Sequence, residues 1–145
     1  MSRPVQTLAN HARIVPLYHL VLGPILVINL ILSGRALFRD PSAERGMAFA
    51  LAFGFLILFW YARVFALGAQ DRVIRLEMRL RLERLLPAPQ FARFGEIAVP
   101  QLVALRFAGD AELPGLVEEV LAGRLVKGED IKRRIQDWQA DELRV

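Results

Sequence analysis

Two long apolar stretches in the first half of the chain restrict its fold more than any other feature. Residues 14–34 carry no charge over 21 residues, and residues 46–62 carry none over 17. A helix rises about 1.5 Å per residue, so the first stretch spans roughly 31 Å, close to the thickness of the hydrocarbon core of a bilayer. The second is long enough if it continues to Leu67. We therefore expect an all-α protein built on a two-helix transmembrane hairpin, with spans at about 14–34 and 46–67.

The pattern of polar and apolar residues divides the chain into four segments. Residues 1–13 are expected to form a polar interfacial leader, and residues 14–67 the hairpin. Residues 68–86 extend the second helix into the cytoplasm, and residues 90–145 form a small helical cytoplasmic domain. A cleaved signal peptide is the alternative for the N-terminus, but its apolar region would cover only about 7 to 15 residues and no convincing small-x-small cleavage site follows Leu32.

The extension beyond the second stretch combines two conflicting signals. Residues 75–83 alternate polar and apolar side chains, which by itself favours a strand. The residue types are strong helix formers, and Asp71 with Arg75, and Glu77 with Arg81, have the four-residue spacing of helical charge pairs. As a helix, the extension has two apolar stripes, which imply two neighbours: the C-terminal domain, and either the lipid surface or another subunit. The stripes are Ile74, Met78, Leu82 and Leu85, and Val73, Leu76 and Leu80.

Three short helices are predicted after the Pro87-Ala-Pro89 break, at about 100–108, 111–122 and 129–140. Gly109 and Gly123 separate them. The middle helix matches the spacing of an amphipathic helix at every apolar position. The residues expected to face the core are Leu113, Leu116, Val117, Val120, Leu121, Ile131, Ile135 and Trp138.

Charge is distributed unevenly along the chain. Residues 1–106 hold 13 of the 19 basic groups and 6 of the 15 acidic groups, whereas residues 107–145 hold 6 basic and 9 acidic groups. A basic segment beside the bilayer suits anionic lipid headgroups, and an acidic tail argues against nucleic acid as a partner. Seven arginines flank the hairpin on the side of the termini, and three lie in the connection between the spans. The positive-inside rule therefore predicts that both termini are cytoplasmic.

Several short motifs, taken together, resemble one protein family. They are Asn10-His11-Ala-Arg13, Pro16-Leu-Tyr18-His19, the run from Gln70 to Glu77, and the tail segments Leu105-Arg106-Phe107-Ala108, Glu112-Leu113-Pro114 and Ile131-Lys132 through Trp138. The chain resembles a family of small bacterial membrane proteins of unknown function with two spans and a cytoplasmic tail. The resemblance implies a multi-pass protein of the bacterial inner membrane, and it brings no catalytic residue.

The residue inventory removes several classes of chemistry. Cysteine is absent, which excludes disulfides, cysteine-ligated metals and thiolate catalysis. Hydroxyl residues other than tyrosine are limited to Ser2, Thr7, Ser33 and Ser42, and an extended hairpin would place Ser33 and Ser42 about 30 Å from His11, so a serine hydrolase is disfavoured. His11 and His19 are about 12 Å apart along a helix and cannot hold one metal ion in a single chain. Haem held between two copies of His19 in a homodimer is the alternative; otherwise no cofactor, metal or catalytic residue is expected.

Two groups of residues stand out as candidate sites. The first is a cluster of polar residues that an antiparallel hairpin would bring to one depth near the cytoplasmic interface, where Trp60 and Tyr61 would anchor in the headgroups. Its members are Asn10, His11, Tyr18, His19, Arg63, Asp71 and Arg72. The second is a stripe of small residues that permits close helix contact in lipid, either with the other helix of the hairpin or with a second copy, and it is formed by Gly46, Ala50 and Gly54.

These observations favour a non-enzymatic membrane anchor or assembly protein over other functions. Its partners would be the bilayer, anionic headgroups, and a second copy or another membrane protein, without nucleic acid. One alternative is a small oligomeric pore or transporter subunit that uses Asn29 and His19, although neither span carries a continuous polar stripe. Another is an accessory subunit that contributes His19 to a membrane enzyme.

Overall fold

The computed structural model describes residues 15–141, and this part of the chain is all-α, as the sequence predicted. It divides into two compact units, residues 15–67 and residues 68–141. The first unit is a packed hairpin of two apolar helices. The second contains the end of the longer helix and a set of short C-terminal helices.

The first long helix begins with a π-helical turn, Leu17–Leu22, and continues as α1, Gly23–Arg39. In the π-helical turn the backbone N–H of Gly23 donates to the carbonyl of Tyr18, five residues earlier. Pro24 follows directly, and in a regular α-helix its ring would collide with the carbonyl four residues before it. The wider turn accommodates the proline, so the irregularity expected at Gly23-Pro24 takes the form of a π-helical turn.

A tight connection, residues 40–42, joins α1 to α2, Ala43–Leu85. It is much shorter than the gap of residues 35–45 between the two predicted spans, because the helices continue through the charged residues at both ends. The Ser42 hydroxyl accepts a hydrogen bond from the N–H of Arg45 at 3.2 Å, which caps the new helix. The Arg45 guanidinium binds the carbonyl of Asp40 at 2.7 Å and its carboxylate at 2.5 Å.

The two helices of the hairpin pack through glycine against aromatic rings. A methyl group on Gly34 would lie 3.2 Å from the ring of Phe49, and one on Gly23 would lie 3.5 Å from the ring of Phe59. Ala52, between these two phenylalanines on the same face of α2, is 1% exposed. The other faces are exposed and apolar, and of the 18 most apolar consecutive residues in each helix only 6% are buried. Both helices are long and apolar enough to cross a membrane.

The second unit consists of the C-terminal part of α2 and five short elements that pack on it. One core of buried apolar side chains holds it together. Ile74, Met78 and Leu82 of α2 are at most 4% exposed in this core, which confirms the first predicted stripe as the face that contacts the C-terminal helices. The short elements are α3, Ala88–Phe91, a 3₁₀ turn, Phe94–Glu96, α4, Val99–Leu105, α5, Leu113–Leu121, and α6, Gly128–Arg134.

The predicted end of α5 at Gly123 is confirmed, and the predicted end of the last helix is wrong. Gly123 has a φ of +72°, the left-handed conformation that terminates a helix and that glycine adopts without strain. The last helix was expected to reach Ala140, but α6 ends at Arg134 and the chain becomes extended at Ile135. Beyond this point the N–H of Gln139 donates to the carbonyl of Phe107 at 2.7 Å, and the N–H groups of Gln136 and Asp137 donate to the Glu112 carboxylate.

Candidate membrane-interface site

Tyr18 joins the start of the first long helix to α2. Its ring stacks on the ring of Phe59, with 4.2 Å between centroids and 14° between planes. Its hydroxyl donates a hydrogen bond to the backbone carbonyl of Phe59. Tyr18 is thus half-buried in the hairpin by an aromatic contact and a polar contact with the same residue.

The side chain of His19 makes its contacts within the first turn of its own helix. Its Nδ1 lies 3.1 Å from both the N–H and the carbonyl of Val15, and its ring meets the edge of the Tyr18 ring at 5.1 Å between centroids. The first N–H groups of a helix have no partner within it, and a side chain that reaches back can supply one. The contacts of His19 are therefore those of a local structural residue at the beginning of the helix.

The remaining residues of the predicted polar cluster fall in different parts of the molecule. Asn10 and His11 lie outside the described residues. Arg63 is half-buried in the hairpin unit, whereas Asp71 and Arg72 belong to the second unit. Their association at one depth stays a prediction. Trp60 and Tyr61, expected to anchor in the headgroups, are 67% and 48% exposed.

The stripe of Gly46, Ala50 and Gly54 does not face α1. A methyl group on Gly46 or Gly54 would meet no atom of the described residues within 4 Å, and Ala50 is exposed. The intrachain contact uses the neighbouring face of α2, which carries Phe49 and Ala52. The small stripe is therefore free within the described hairpin.

Asn29 is the only amide in the first long helix and its side chain is exposed. No described residue hydrogen-bonds to it. Ser33, one turn later, differs because its hydroxyl donates to the carbonyl of Leu30 at 3.1 Å, within its own helix. In hydrocarbon an amide without a hydrogen-bond partner is costly.

In the second unit, three arginines of α2 line a groove of about 550 Å³ opposite the end of α3 and the residues that follow it. Arg72, Arg75 and Arg79 supply the positive charge, and the rest of the lining is apolar or glycine. Among the described residues, no carboxylate forms an ion pair with these three arginines. We call this feature the arginine groove; its apolar side chains include Leu76, Phe91 and Phe94.

A charge pair supports the wall of the arginine groove. The guanidinium of Arg93 donates two hydrogen bonds to the carboxylate of Glu96, at 2.9 Å and 2.7 Å, across the turn that carries Phe94. The hydrogen bond from Arg93 lowers the pKa of Glu96 below its usual value. The pair is therefore complete above the ordinary glutamate pKa of about 4.3, and it is lost as the pH falls through the lowered value.

Arg81, the next arginine along α2, is half-buried, with 20% of its side chain exposed. Its Nη2 donates to the carbonyl of Ala108 at 2.6 Å and its Nη1 to the carbonyl of Arg106 at 3.2 Å. Its Nε donates to the Asp110 carboxylate at 2.7 Å. The guanidinium thus satisfies carbonyls at the C-terminal end of α4, where a positive charge is also favourable to the helix dipole.

The described residues contain no group of three or more histidine, cysteine, aspartate or glutamate side chains able to hold a metal ion. The family comparison matches residues 1–145 to one model, described as a family of unknown function (DUF6526). The chain belongs to the DUF6526 family. No curated protein and no solved structure matches it.

In this DUF6526 protein, an extended C-terminal segment closes the second unit in a way that the sequence pattern did not indicate. Trp138 stacks on Phe107 at 4.5 Å between ring centroids and 10° between planes, and it pairs with Ala108 in an isolated β-bridge. The Glu112 carboxylate accepts hydrogen bonds from the N–H groups of Gln136 at 3.0 Å and Asp137 at 3.2 Å. These contacts are not helical, and local spacing carries no signal for them.

Proposed function

We propose that this DUF6526 protein is an integral anchor of the bacterial inner membrane, whose hairpin holds a small helical unit at the cytoplasmic surface. The observation that carries the proposal is the pair of long apolar helices that pack on each other through one narrow face and leave large apolar side chains exposed on the others. Soluble proteins rarely expose apolar patches of this extent. Lipid covers such a surface without cost.

The distribution of arginine supports cytoplasmic termini. Seven arginines precede or follow the hairpin within a short distance, against three in and around the connection. The sets are Arg3, Arg13, Arg72, Arg75, Arg79, Arg81 and Arg84, and Arg35, Arg39 and Arg45. This orientation places the second unit in the cytoplasm.

A non-enzymatic role fits the side chains available to the chain. Cysteine is absent from the sequence, and His19 makes local contacts at the start of its helix. The proposal is an anchor or assembly role in which the second unit presents its surface to other molecules. The specificity of that role lies in its exposed residues and not in a catalytic centre.

One substitution distinguishes lipid from water around the hairpin. Leu58 is 63% exposed near the middle of the apolar part of α2, and Leu80 is 56% exposed further along the same helix. Arginine in the middle of a span costs about 2.5 to 3.5 kcal/mol during insertion, so Leu58→Arg should sharply reduce the fraction of protein that resists alkaline carbonate extraction of membranes.

The matched control is Leu80→Arg, which adds the same charge on the same helix outside the apolar stretch. It should leave carbonate resistance unchanged. If the wild type is extracted as readily as Leu58→Arg and Leu80→Arg, membrane insertion is contradicted, because a water-exposed helix accepts arginine at either position without penalty.

We further propose that a second copy of the chain is a partner within the membrane, because Asn29 is exposed and no described residue hydrogen-bonds to it. Interhelical hydrogen bonds of polar side chains in membranes contribute about 0.6 kcal/mol on average and up to about 2 kcal/mol, so Asn29→Leu should weaken self-association about three- to thirtyfold. Energy transfer between labelled copies in vesicles measures this self-association. Ile28→Leu, at the adjacent exposed position, is the control; equal association of both variants would exclude this role.

A further inference from the structure

We infer that the arginine groove binds the headgroup of an anionic glycerophospholipid from the cytoplasmic leaflet. The inference rests on the proposed membrane insertion and adds to it a defined lipid site. Its basis is the combination, in one groove, of three arginines with an apolar lining that contains no acidic residue.

The arginines have the spacing that converges on one ligand. Arg72, Arg75 and Arg79 are separated by three and four residues and therefore project from the same side of α2. Arginine presents several N–H donors in a planar arrangement that matches phosphate oxygens. Without a carboxylate partner among the described residues, these guanidinium groups are available to an anion.

The apolar side chains favour a lipid over a free anion. Leu76 lies among the arginines on α2, and Phe91 and Phe94 line the opposite side of the groove. Beside them, Val73 and Leu80 are 54% and 56% exposed, which leaves the second predicted stripe of α2 uncovered. A phosphate with attached glycerol and acyl carbons would contact both the arginines and these apolar groups, whereas inorganic phosphate would contact only the arginines.

The position of the groove along the chain also favours an anionic lipid of the cytoplasmic leaflet. Arg72 follows Leu67, at the end of the predicted second span, by only five residues of continuous helix. Anionic lipids of the cytoplasmic leaflet attract basic segments beside a span, at about 1 kcal/mol for each lysine or arginine near the surface. The groove adds apolar contacts and a fixed arrangement of arginines to this general attraction.

The test uses the full chain purified in neutral detergent, with dioctanoyl phosphatidylglycerol as the probe and native mass spectrometry as the measurement. Arg75→Gln and Arg79→Gln should each weaken binding about fivefold. Arg84→Gln removes the same charge from an exposed residue of α2 that does not line the groove, and it should change binding less than twofold. Equal losses for all three variants would show a diffuse surface attraction and overturn the inference.

Two further measurements separate the sources of the anion. Dioctanoyl phosphatidylcholine, which has no net charge, should bind about tenfold more weakly than the anionic lipid. Excess inorganic phosphate should not displace the lipid. Leu76→Gln should weaken lipid binding and leave phosphate binding unchanged. Displacement by phosphate, or no effect of Leu76→Gln, would reduce the groove to a simple anion site and refute the lipid assignment.

Carbonate extraction of the same variants separates this inference from the proposed function. Arg75→Gln and Arg79→Gln should remain as resistant to extraction as the wild type, because both arginines are exposed and follow the apolar stretch. If the wild type resists extraction and both variants bind the lipid as tightly as the wild type, only the lipid site is wrong. If the wild type itself is extracted, membrane insertion is wrong.

Discussion

Replacement of the Arg81 guanidinium should loosen the second unit by about 3 kcal/mol. Arg81→Met keeps most of the apolar stem and removes the donors to the carbonyls of Arg106 and Ala108. Hydrogen bonds to a charged group contribute about 1.5 to 3 kcal/mol each, and water can reach part of this site because the Arg81 side chain is 20% exposed. The Asp110 carboxylate is 60% exposed, so its ion pair adds less than about 1 kcal/mol.

Native-state hydrogen exchange of the full chain in detergent measures this loss of stability at the amides of the second unit itself. A loss of about 3 kcal/mol corresponds to roughly 150-fold faster exchange of the slowest amides of α4 and α5. Arg79→Met, an exposed arginine two residues earlier, should change the same amides by less than about 0.5 kcal/mol. Unchanged protection in Arg81→Met, or equal acceleration in both variants, would refute the reasoning.

Two other substitutions test the packing of each unit. Gly34→Leu should lower the free energy of unfolding of the hairpin in detergent by about 1 to 3 kcal/mol, because the added carbons meet Phe49. Gly46→Leu places its side chain in open space and should have little effect. Equal losses of stability in the two variants would contradict the observed contact face. Trp138→Ala should lower the free energy of unfolding of the second unit by about 2 to 3 kcal/mol, measured by its resistance to protease, because the stack on Phe107 is lost. Trp138→Phe should retain most of this stability. Unchanged resistance of Trp138→Ala would show that the stack does not stabilise the unit.

Periodicity predicted the parts of the fold that depend on helical spacing. The stripe of Ile74, Met78 and Leu82 was identified from residues four apart, and the structure buries all three against the C-terminal helices. The apolar length of the two long helices and the stop at Gly123 likewise follow from local rules. Each of these features is encoded within one continuous segment of the chain.

Contacts between distant residues could not be predicted in the same way. Arg81 was expected to pair with Glu77 four residues away, but its guanidinium instead binds Asp110 and two carbonyls near it, since these offer more acceptors than one exposed carboxylate. The last helix ends early because Glu112, 24 residues before Gln136, supplies an acceptor to the extended backbone. Spacing along the sequence contains no information about such partners.

The contact face of the hairpin and the arginine groove are tertiary features of the same kind. Small-residue spacing identified the stripe with Gly54 as a contact face without deciding between α1 and a second copy, and it gave no sign that α1 and α2 meet where Gly34 faces Phe49. Glycine opposite an aromatic ring on another helix leaves no periodic signal in either segment. The arginines of the groove were visible as a basic segment, but Phe91 and Phe94, which complete it, belong to short elements that were not predicted.

Thiol accessibility in intact cells is the most direct test of the membrane hairpin with cytoplasmic termini. The chain has no cysteine, so Ser42→Cys in the connection and Ala122→Cys at the exposed end of α5 each create a single thiol. A membrane-impermeant maleimide applied to intact cells should label residue 42 and not residue 122, and both should be labelled after permeabilisation. Labelling of residue 122 without residue 42 would reverse the topology, and equal labelling of both in intact cells would contradict a hairpin that crosses the bilayer.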